Sequence, residues 1–293
     1  MVGLFGRLPR AWYGPLARFI ARALAPLIPF RRKVLAQNLR IAFGELEPRE
    51  LKLLVRDIHE QSVLFALETA RLVHASPEEI ERAIVNTEET KQRCEELRRG
   101  GKGHLIACAH MSNFEWLGAW YAHTIGNLGL VTKPIHNIRI NAFLRRLHKS
   151  CGIRDLSTRA RMPRELVQCL RQGSVVAILS DQDAGRRGPF IPFFGRPAST
   201  ALGMASLAIR FNVPILVAFC VREGPCRFRI KLPETLVPDP NADPRAEELR
   251  LMRAYHRHLE EVIREAPGQY FWWHRRWKSR PKPASATEGT DTP

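Results

Sequence analysis

The chain has 293 residues, 45% of them hydrophobic, which is enough for one large core and unlike a disordered or fibrous protein. Its net charge of +17 points to an anionic partner: nucleic acid, an anionic membrane surface, or an acidic substrate or carrier. The six cysteines form no CxxC pair and read as small buried hydrophobes in a reducing compartment, not as a zinc site or a disulfide framework.

Residues 1–30 read as one amphipathic helix. Between Ala11 and Phe30, Trp12, Leu16, Phe19, Ile20, Ala23, Leu24 and Leu27 share a face, with Arg18 and Arg22 opposite. The two arginines disfavour a membrane span or a signal peptide. A helix lying in the membrane interface fits better, with Trp12 and Tyr13 at headgroup level and Arg31, Arg32 and Lys33 against anionic lipid. Packing on the protein's own core remains the alternative. Residues 31–82 continue as helices, over Val34–Phe43, Glu50–Val73 and from Pro77.

From residue 83 to 278 strands and helices alternate. Strands are expected at Ile84–Val85, Leu105–Ala109, Leu128–Thr132, after Ile153, at Ser174–Leu179, Pro214–Val221 and Arg227–Leu232. Helices are expected over Glu88–Arg99, Phe114–Ala122, Ile138–Lys149, Pro163–Arg171, Thr200–Phe211 and Pro244–Glu265. This predicts an α/β fold with a largely parallel central sheet flanked by helices, behind a helical, membrane-contacting N-terminal segment. Residues 279–293, rich in Pro, Ala, Ser and Thr, read as a disordered tail.

The most informative stretch is Ala109–Trp116. A strand end delivers His110, and Glu115 follows five residues later. On a regular helix five residues turn through about 500°, leaving two such side chains roughly 140° apart. The pair meets only if His110 precedes a helix capped by Ser112 or Asn113. Glu115 then orients the imidazole, and the helix N-terminus disfavours a resting positive charge on it. Such a base needs no serine or cysteine nucleophile if the substrate brings its own hydroxyl. The bland alternative is a helix cap beside an incidental histidine.

Ligands of open α/β sheets bind beyond the carboxyl ends of strands. Asp181 ends a second buried strand there, and Arg186 and Arg187 on the following glycine-rich loop suit an anionic headgroup, or the segment is simply a polar turn. Lys133, Arg139, Arg145 and Arg146 follow the motif, and one of them serves as an electrostatic clamp if it reaches the site. Pro189–Pro197 carries three phenylalanines among prolines that restrict regular pairing, either walling an acyl-chain groove or filling core. Tyr270–Lys278, aromatic and basic together, is open between base stacking, a membrane belt and core packing.

Three segments taken together, HMSNFE at 110–115, LSDQDAGRRGPFIPFFGRPAST at 179–200 and QYFWWHRRWKSRP at 269–281, resemble the bacterial lipid A biosynthesis lauroyl/myristoyl acyltransferases, a branch of the lysophospholipid acyltransferase-like superfamily. The resemblance implies a glycerolipid acyltransferase-like fold and transfer of an acyl group from acyl carrier protein to a hydroxyl of an anionic glycolipid, at the cytoplasmic face of the inner membrane. It implies His110 as general base with Glu115 as partner, Asp181 in the site, and an arginine from the 139–146 helix, Arg146 ahead of Arg145. It implies no cofactor and no metal, only acyl-ACP or acyl-CoA as co-substrate. This chain has Lys133-Pro134 where the family often has Arg-Pro, and Gln182 where histidine also occurs. The glycerophosphate branch's H-x4-D and proline-glutamate-glycine-threonine motifs are absent.

Acyl transfer from acyl-CoA to another phospholipid or glycolipid is the nearest alternative. A nucleic-acid-binding protein accounts for the charge, but the chain has no recognisable nucleic-acid motif and that reading leaves His110 unexplained. A serine esterase lacks its G-x-S-x-G elbow. No oligomeric state follows from the sequence.

Overall fold

The computed structural model describes residues 5–24, 31–99, 101, 103–157, 162–186 and 188–281. An all-helical N-terminal part comprises α1 (Tyr13–Leu24), α2 (Arg32–Phe43), α3 (Pro48–Leu72), α4 (Pro77–Ala83) and α5 (Thr87–Arg98). The α/β part then runs β1 (Leu105–Cys108), α6 (Phe114–Thr124), β2 (Leu128–Thr132), α7 (Ile138–Ser150), β3 (Arg154–Ser157), α8 (Met162–Arg171) and β4 (Val175–Leu179). It continues with β5 (Phe190–Phe193), β6 (Arg196–Ser199), α9 (Gly203–Phe211), β7 (Ile215–Val217), β8 (Phe219–Gly224), β9 (Arg227–Lys231), β10 (Thr235–Leu236) and α10 (Pro244–Glu265).

The central sheet has the order β10-β7-β1-β4-β2-β3, parallel throughout except for the short antiparallel edge strand β10. Parallel strands need helical crossovers, which cover both faces of the sheet and require apolar side chains on both. The two cores show this division. Leu105, Ala107, Val176, Ile215 and Val217 face α8, α9 and α10. Ile106, Cys108, Val175, Ala177 and Leu216 face α6, α7 and the N-terminal helices. The expected α/β architecture with a mostly parallel, helix-flanked sheet is therefore present. All six cysteines are buried free thiols.

α1 lies along α3, burying Tyr13, Ala17 and Ala21 at four-residue spacing. Its inward face is thus not the one the sequence pattern picks out. Trp12, immediately before the helix, is 61% exposed and Phe19 is 70% exposed. Residues 1–4 and 25–30, the remainder of the expected amphipathic segment, lie outside the described residues. Among the described residues no helix is long and apolar enough to cross a membrane.

Three local expectations change. Ile84 forms only an isolated bridge to Phe228. The expected Pro214–Val221 strand breaks at Ala218, so β7 stays in the main sheet while β8 turns away to pair with β9. The proline-rich 189–197 stretch forms a β5–β6 hairpin with Pro192 opposite Pro197. Its two-residue turn, Phe194 (φ 50°) and Gly195 (φ 69°), has both residues at positive φ, as a tight hairpin turn requires. The closing pair Phe193–Arg196 takes the hydrogen-bonded position. The prolines one step back therefore fall where no ladder N–H is needed. Ile191, Phe193 and Phe194 are buried, so this segment is core.

Candidate active site

β1 and β4 are neighbours in the sheet, with Cys108 and Leu179 as paired positions. His110 and Asp181 each lie two residues beyond that pair, so the register brings them together at the carboxyl end of the sheet. The Asp181 carboxylate accepts two bonds from the same residue, from His110 Nδ1–H to Oδ1 (2.8 Å) and from the His110 backbone N–H to Oδ2 (3.1 Å). This bidentate hold fixes the tautomer and ring plane and leaves Nε2 with its lone pair free. Asp181 is 2% exposed, whereas the His110 side chain keeps 26% of its surface open. Burial is the largest influence on the imidazole and pushes its pKa down. The charge and hydrogen bond of Asp181, helped by Glu115, outweigh it, and the pKa is raised above the ordinary histidine value.

The loop after His110 is strained and braced. Ser112 has φ 50°, a conformation costly for a residue with a Cβ. Two backbone hydrogen bonds from the C-terminal segment hold it, Ser112 N–H to the Gln269 carbonyl (2.7 Å) and Phe271 N–H to the His110 carbonyl (2.9 Å), which together pair Met111 with Tyr270. Phe114 packs edge-on against the imidazole (5.1 Å between ring centroids) and Phe271 approaches it from another side (6.3 Å). From α3, the wholly buried Glu68 accepts from Arg222 Nε (2.9 Å) and Nη2 (2.6 Å) and from Asn113 Nδ2 (3.1 Å). That network fixes the start of α6, and nothing in the sequence motif announces it.

The carboxylate partner of His110 is thus Asp181, and the sequence expectation that Glu115 orients it is corrected. Glu115, in the first turn of α6, points away from the strand ends, and its Oε2 lies 2.9 Å from His148 Nε2. His148 Nδ1 in turn meets Asp155 Oδ1 at 2.7 Å. Burial alone pushes the His148 pKa down. The bonds to Asp155 and Glu115, with their charges, reverse this and raise it to about 9, so a buried cation bridges two carboxylates at neutral pH. His148 is also the residue that α7 sends inward. Arg145 and Arg146 lie on the exposed side of that helix, and Arg146 Nε bonds only to the Ala142 carbonyl one turn back (3.3 Å). Among the described residues neither is bonded to His110 or Asp181. Arg186 is exposed on the loop after Asp181, and Arg187 lies outside the described residues.

The aromatic–basic C-terminal segment resolves as core and brace. Trp272, Trp273 and Trp277 are buried, and Arg276, 1% exposed, donates to the Ser199 carbonyl (2.5 Å) and to Thr200 Oγ1 (2.9 Å). The approach to α3 is so close that a Cβ on Gly268 would lie 1.7 Å from Asp57 Oδ2. Order extends past residue 278, since Ser279 Oγ donates to Asp183 Oδ2 (3.0 Å); residues 282–293 of the expected tail lie outside the described residues. A small, mostly apolar cleft between α6 and the sheet is lined by Phe114, Glu115, Leu117, Tyr121, Leu130 and Ile153.

A strand-end imidazole held by a buried carboxylate, beside an apolar cleft, suits proton abstraction from a hydroxyl next to a chain-bearing carbonyl. Sequence comparison points the same way. The lipid A biosynthesis lauroyltransferase of Escherichia coli K12 is 25% identical over 257 residues, 86% of this chain and 80% of that protein. A phosphatidylinositol mannoside acyltransferase of Mycobacterium tuberculosis is 28% identical over 127 residues, 42% of this chain and only 40% of its own length. The lipid A biosynthesis palmitoleoyltransferase of Escherichia coli K12 is 31% identical over 121 residues, 40% of this chain and 38% of its own. The profile of the bacterial lipid A biosynthesis acyltransferases matches residues 2–279, and the chain belongs to that family.

Proposed function

We propose that this protein transfers a fatty acyl group from an acyl thioester, acyl-ACP in the first instance, to a hydroxyl or hydroxyacyl group of a lipid A precursor or related glycolipid. The observation that carries this reading is the His110–Asp181 pair: Nδ1 is committed to a buried carboxylate, while Nε2 has only the long Gln182 amide contact (3.4 Å) beside it. Ser112, the hydroxyl nearest in sequence, is buried and braced, which leaves the acceptor's own hydroxyl as nucleophile. His110 Nε2 takes its proton as the oxygen attacks the thioester carbonyl. The tetrahedral intermediate collapses, the C–S bond breaks, and the imidazolium returns the proton to the departing thiolate. The +17 charge suits both an acidic carrier protein and an anionic acceptor.

The test is the purified protein assayed with acyl-ACP and acyl-CoA against a phosphorylated lipid A precursor, its dephosphorylated form and a neutral glycolipid, with products identified by mass. Transfer from the carrier-bound donor to the phosphorylated lipid is expected. Absence of a new ester with every pair would overturn the reading. Arg186→Glu should raise the KM of the phosphorylated acceptor about fivefold, the value of a partly solvated charge pair of ~1 kcal/mol, and leave the dephosphorylated one unchanged.

Action at the cytoplasmic face of the inner membrane is part of the same proposal, supported by the exposed Trp12 and Phe19. Removing residues 1–30 would strip Tyr13 and Ala17 from the core, so point substitution is the cleaner probe. Trp12→Glu and Phe19→Glu should each weaken binding to anionic vesicles by about tenfold or more, given ~1.5–3 kcal/mol for a large apolar side chain. Undiminished binding of the double variant would exclude this surface as the anchor.

A further inference from the structure

The attack proposed above creates an oxyanion, and many of the groups that could receive it are already spent or elsewhere. Around His110 several backbone N–H groups have partners within the protein. His110 N–H serves Asp181, Met111 N–H the Ala109 carbonyl, and Ser112 N–H the Gln269 carbonyl. Asp183 N–H donates to His274 Nε2 (2.9 Å), and Phe271 N–H to the His110 carbonyl. Arg145 and Arg146 are on the outer side of α7, and the Arg276 guanidinium is buried against Ser199 and Thr200.

Among the described side chains, one amide donor lies against the imidazole. Gln182, directly after Asp181 and half-buried, places its amide nitrogen 3.4 Å from His110 Nδ1 and 3.4 Å from Nε2. A point in the ring plane equidistant from both nitrogens at that range would press into Cε1. The amide therefore lies over the ring, in line with neither lone pair. Among the described residues it has no other hydrogen-bond partner, so both its N–H groups are available.

We infer that Gln182 is a catalytic residue, its side-chain amide donating to the oxyanion that forms on the thioester carbonyl. The attacking oxygen sits at hydrogen-bond distance from His110 Nε2, and the carbonyl oxygen becomes its neighbour on the same tetrahedral carbon. A donor 3.4 Å from Nε2, set to one side of the base, lies within reach of that second oxygen without competing for the proton. No bond to Gln182 is made or broken; it receives charge during attack and releases it when the C–S bond breaks. This assignment rests on the acyl-transfer reading.

Gln182→Ala, Gln182→Glu and Gln182→His are compared with wild type for transfer from an acyl thioester and from the matching dithioester, whose sulfur is a poorer hydrogen-bond acceptor. Gln182→Ala should lose about 10²- to 10³-fold in kcat, the cost of one oxyanion donor, with both KM values within a few-fold. Gln182→Glu should fall at least as far, since a carboxylate repels the oxyanion, and Gln182→His, which keeps an N–H donor, should recover part of the loss. The thioester-to-dithioester rate ratio should shrink towards the chemical ratio in Gln182→Ala. The acid limb of its pH–rate profile should stay in place, because Asp181 sets the His110 pKa. A structural role would move thermal stability instead and leave the sulfur effect intact. Wild-type transfer accompanied by an unimpaired Gln182→Ala, or by an unchanged sulfur effect in that variant, overturns this assignment alone. A wild type inert towards every thioester overturns the acyl-transfer reading and this one with it.

Discussion

Alanine at position 110 is expected to lower kcat/KM for acyl transfer by about 10³- to 10⁴-fold without unfolding the protein, the usual worth of a well-placed general base. The companion variant is Asp181→Asn. An asparagine amide donates to Nδ1, drives the proton onto Nε2 and so removes the lone pair that the hydroxyl needs. A comparable loss of about 10³- to 10⁴-fold is therefore expected from an isosteric change. The pH dependence separates this role from a structural one. In the wild type the base must be neutral, and Asp181 holds its pKa above the ordinary histidine value, so the rate climbs as pH rises through that raised pKa. Without the carboxylate the imidazolium loses its main support, and the acid limb should move to lower pH even as the plateau drops. Glu115→Gln should shift that limb far less, because Glu115 contributes to His110 only by charge at a distance. Near wild-type turnover by folded His110→Ala would remove the base from the mechanism. A larger limb shift in Glu115→Gln than in Asp181→Asn would restore the pairing read from the sequence.

The second large effect concerns stability. His148 goes from an ordinary histidine pKa of 6.5 when unfolded to about 9 when folded, with burial opposed and outweighed by Asp155 and Glu115. A raised pKa means that the folded state binds the proton more tightly. The stabilisation is complete below pH 6.5 and drains away as pH rises towards 9. That difference corresponds to about 3 kcal/mol, and removing the cation from between the buried Glu115 and the half-buried Asp155 costs ~3 kcal/mol, the low end for broken buried pairs. His148→Gln should thus be least stable relative to wild type at and below neutral pH, and the two should converge as pH approaches 9. Urea unfolding at pH 6, 7.5 and 9 measures this. Parallel pH dependences in the two proteins would mean that His148 is not the titrating group.

Local sequence carried the sheet because parallel strands buried on both faces are short apolar runs, and Leu105–Ala109 and Ser174–Leu179 are such runs. It also put His110 and Asp181 separately at strand ends. What it did not contain is that those two strands are neighbours, a fact of the order β7-β1-β4-β2 and not of any nearby residue. H-x4-E supplied a nearer carboxylate, and proximity in the chain stood in for proximity in space. Arg145 and Arg146 attracted attention by charge, yet the phase of α7 turns Leu147 and His148 inward and those arginines outward. The Glu68–Arg222 brace joins residues from α3 and β8 that no motif connects. The segment after Gln269 has no helical or strand period to read, because it is held largely through backbone groups: Asn38 Nδ2 donates to the Trp272 and His274 carbonyls, both at 2.7 Å.

That last segment also sets when the site comes into being. A ribosome delivers β1 and its histidine early and Gln269–Phe271 late, and until Phe271 N–H meets the His110 carbonyl the strained Ser112 loop lacks its backbone clamp. A nascent chain already possesses its sheet strands, its base and the carboxylate beside it, but not the clamp that keeps them in working order. Domains built from such distant contacts close slowly, after the entropy of long intervening loops has been overcome. The arrangement makes competence a terminal event of synthesis.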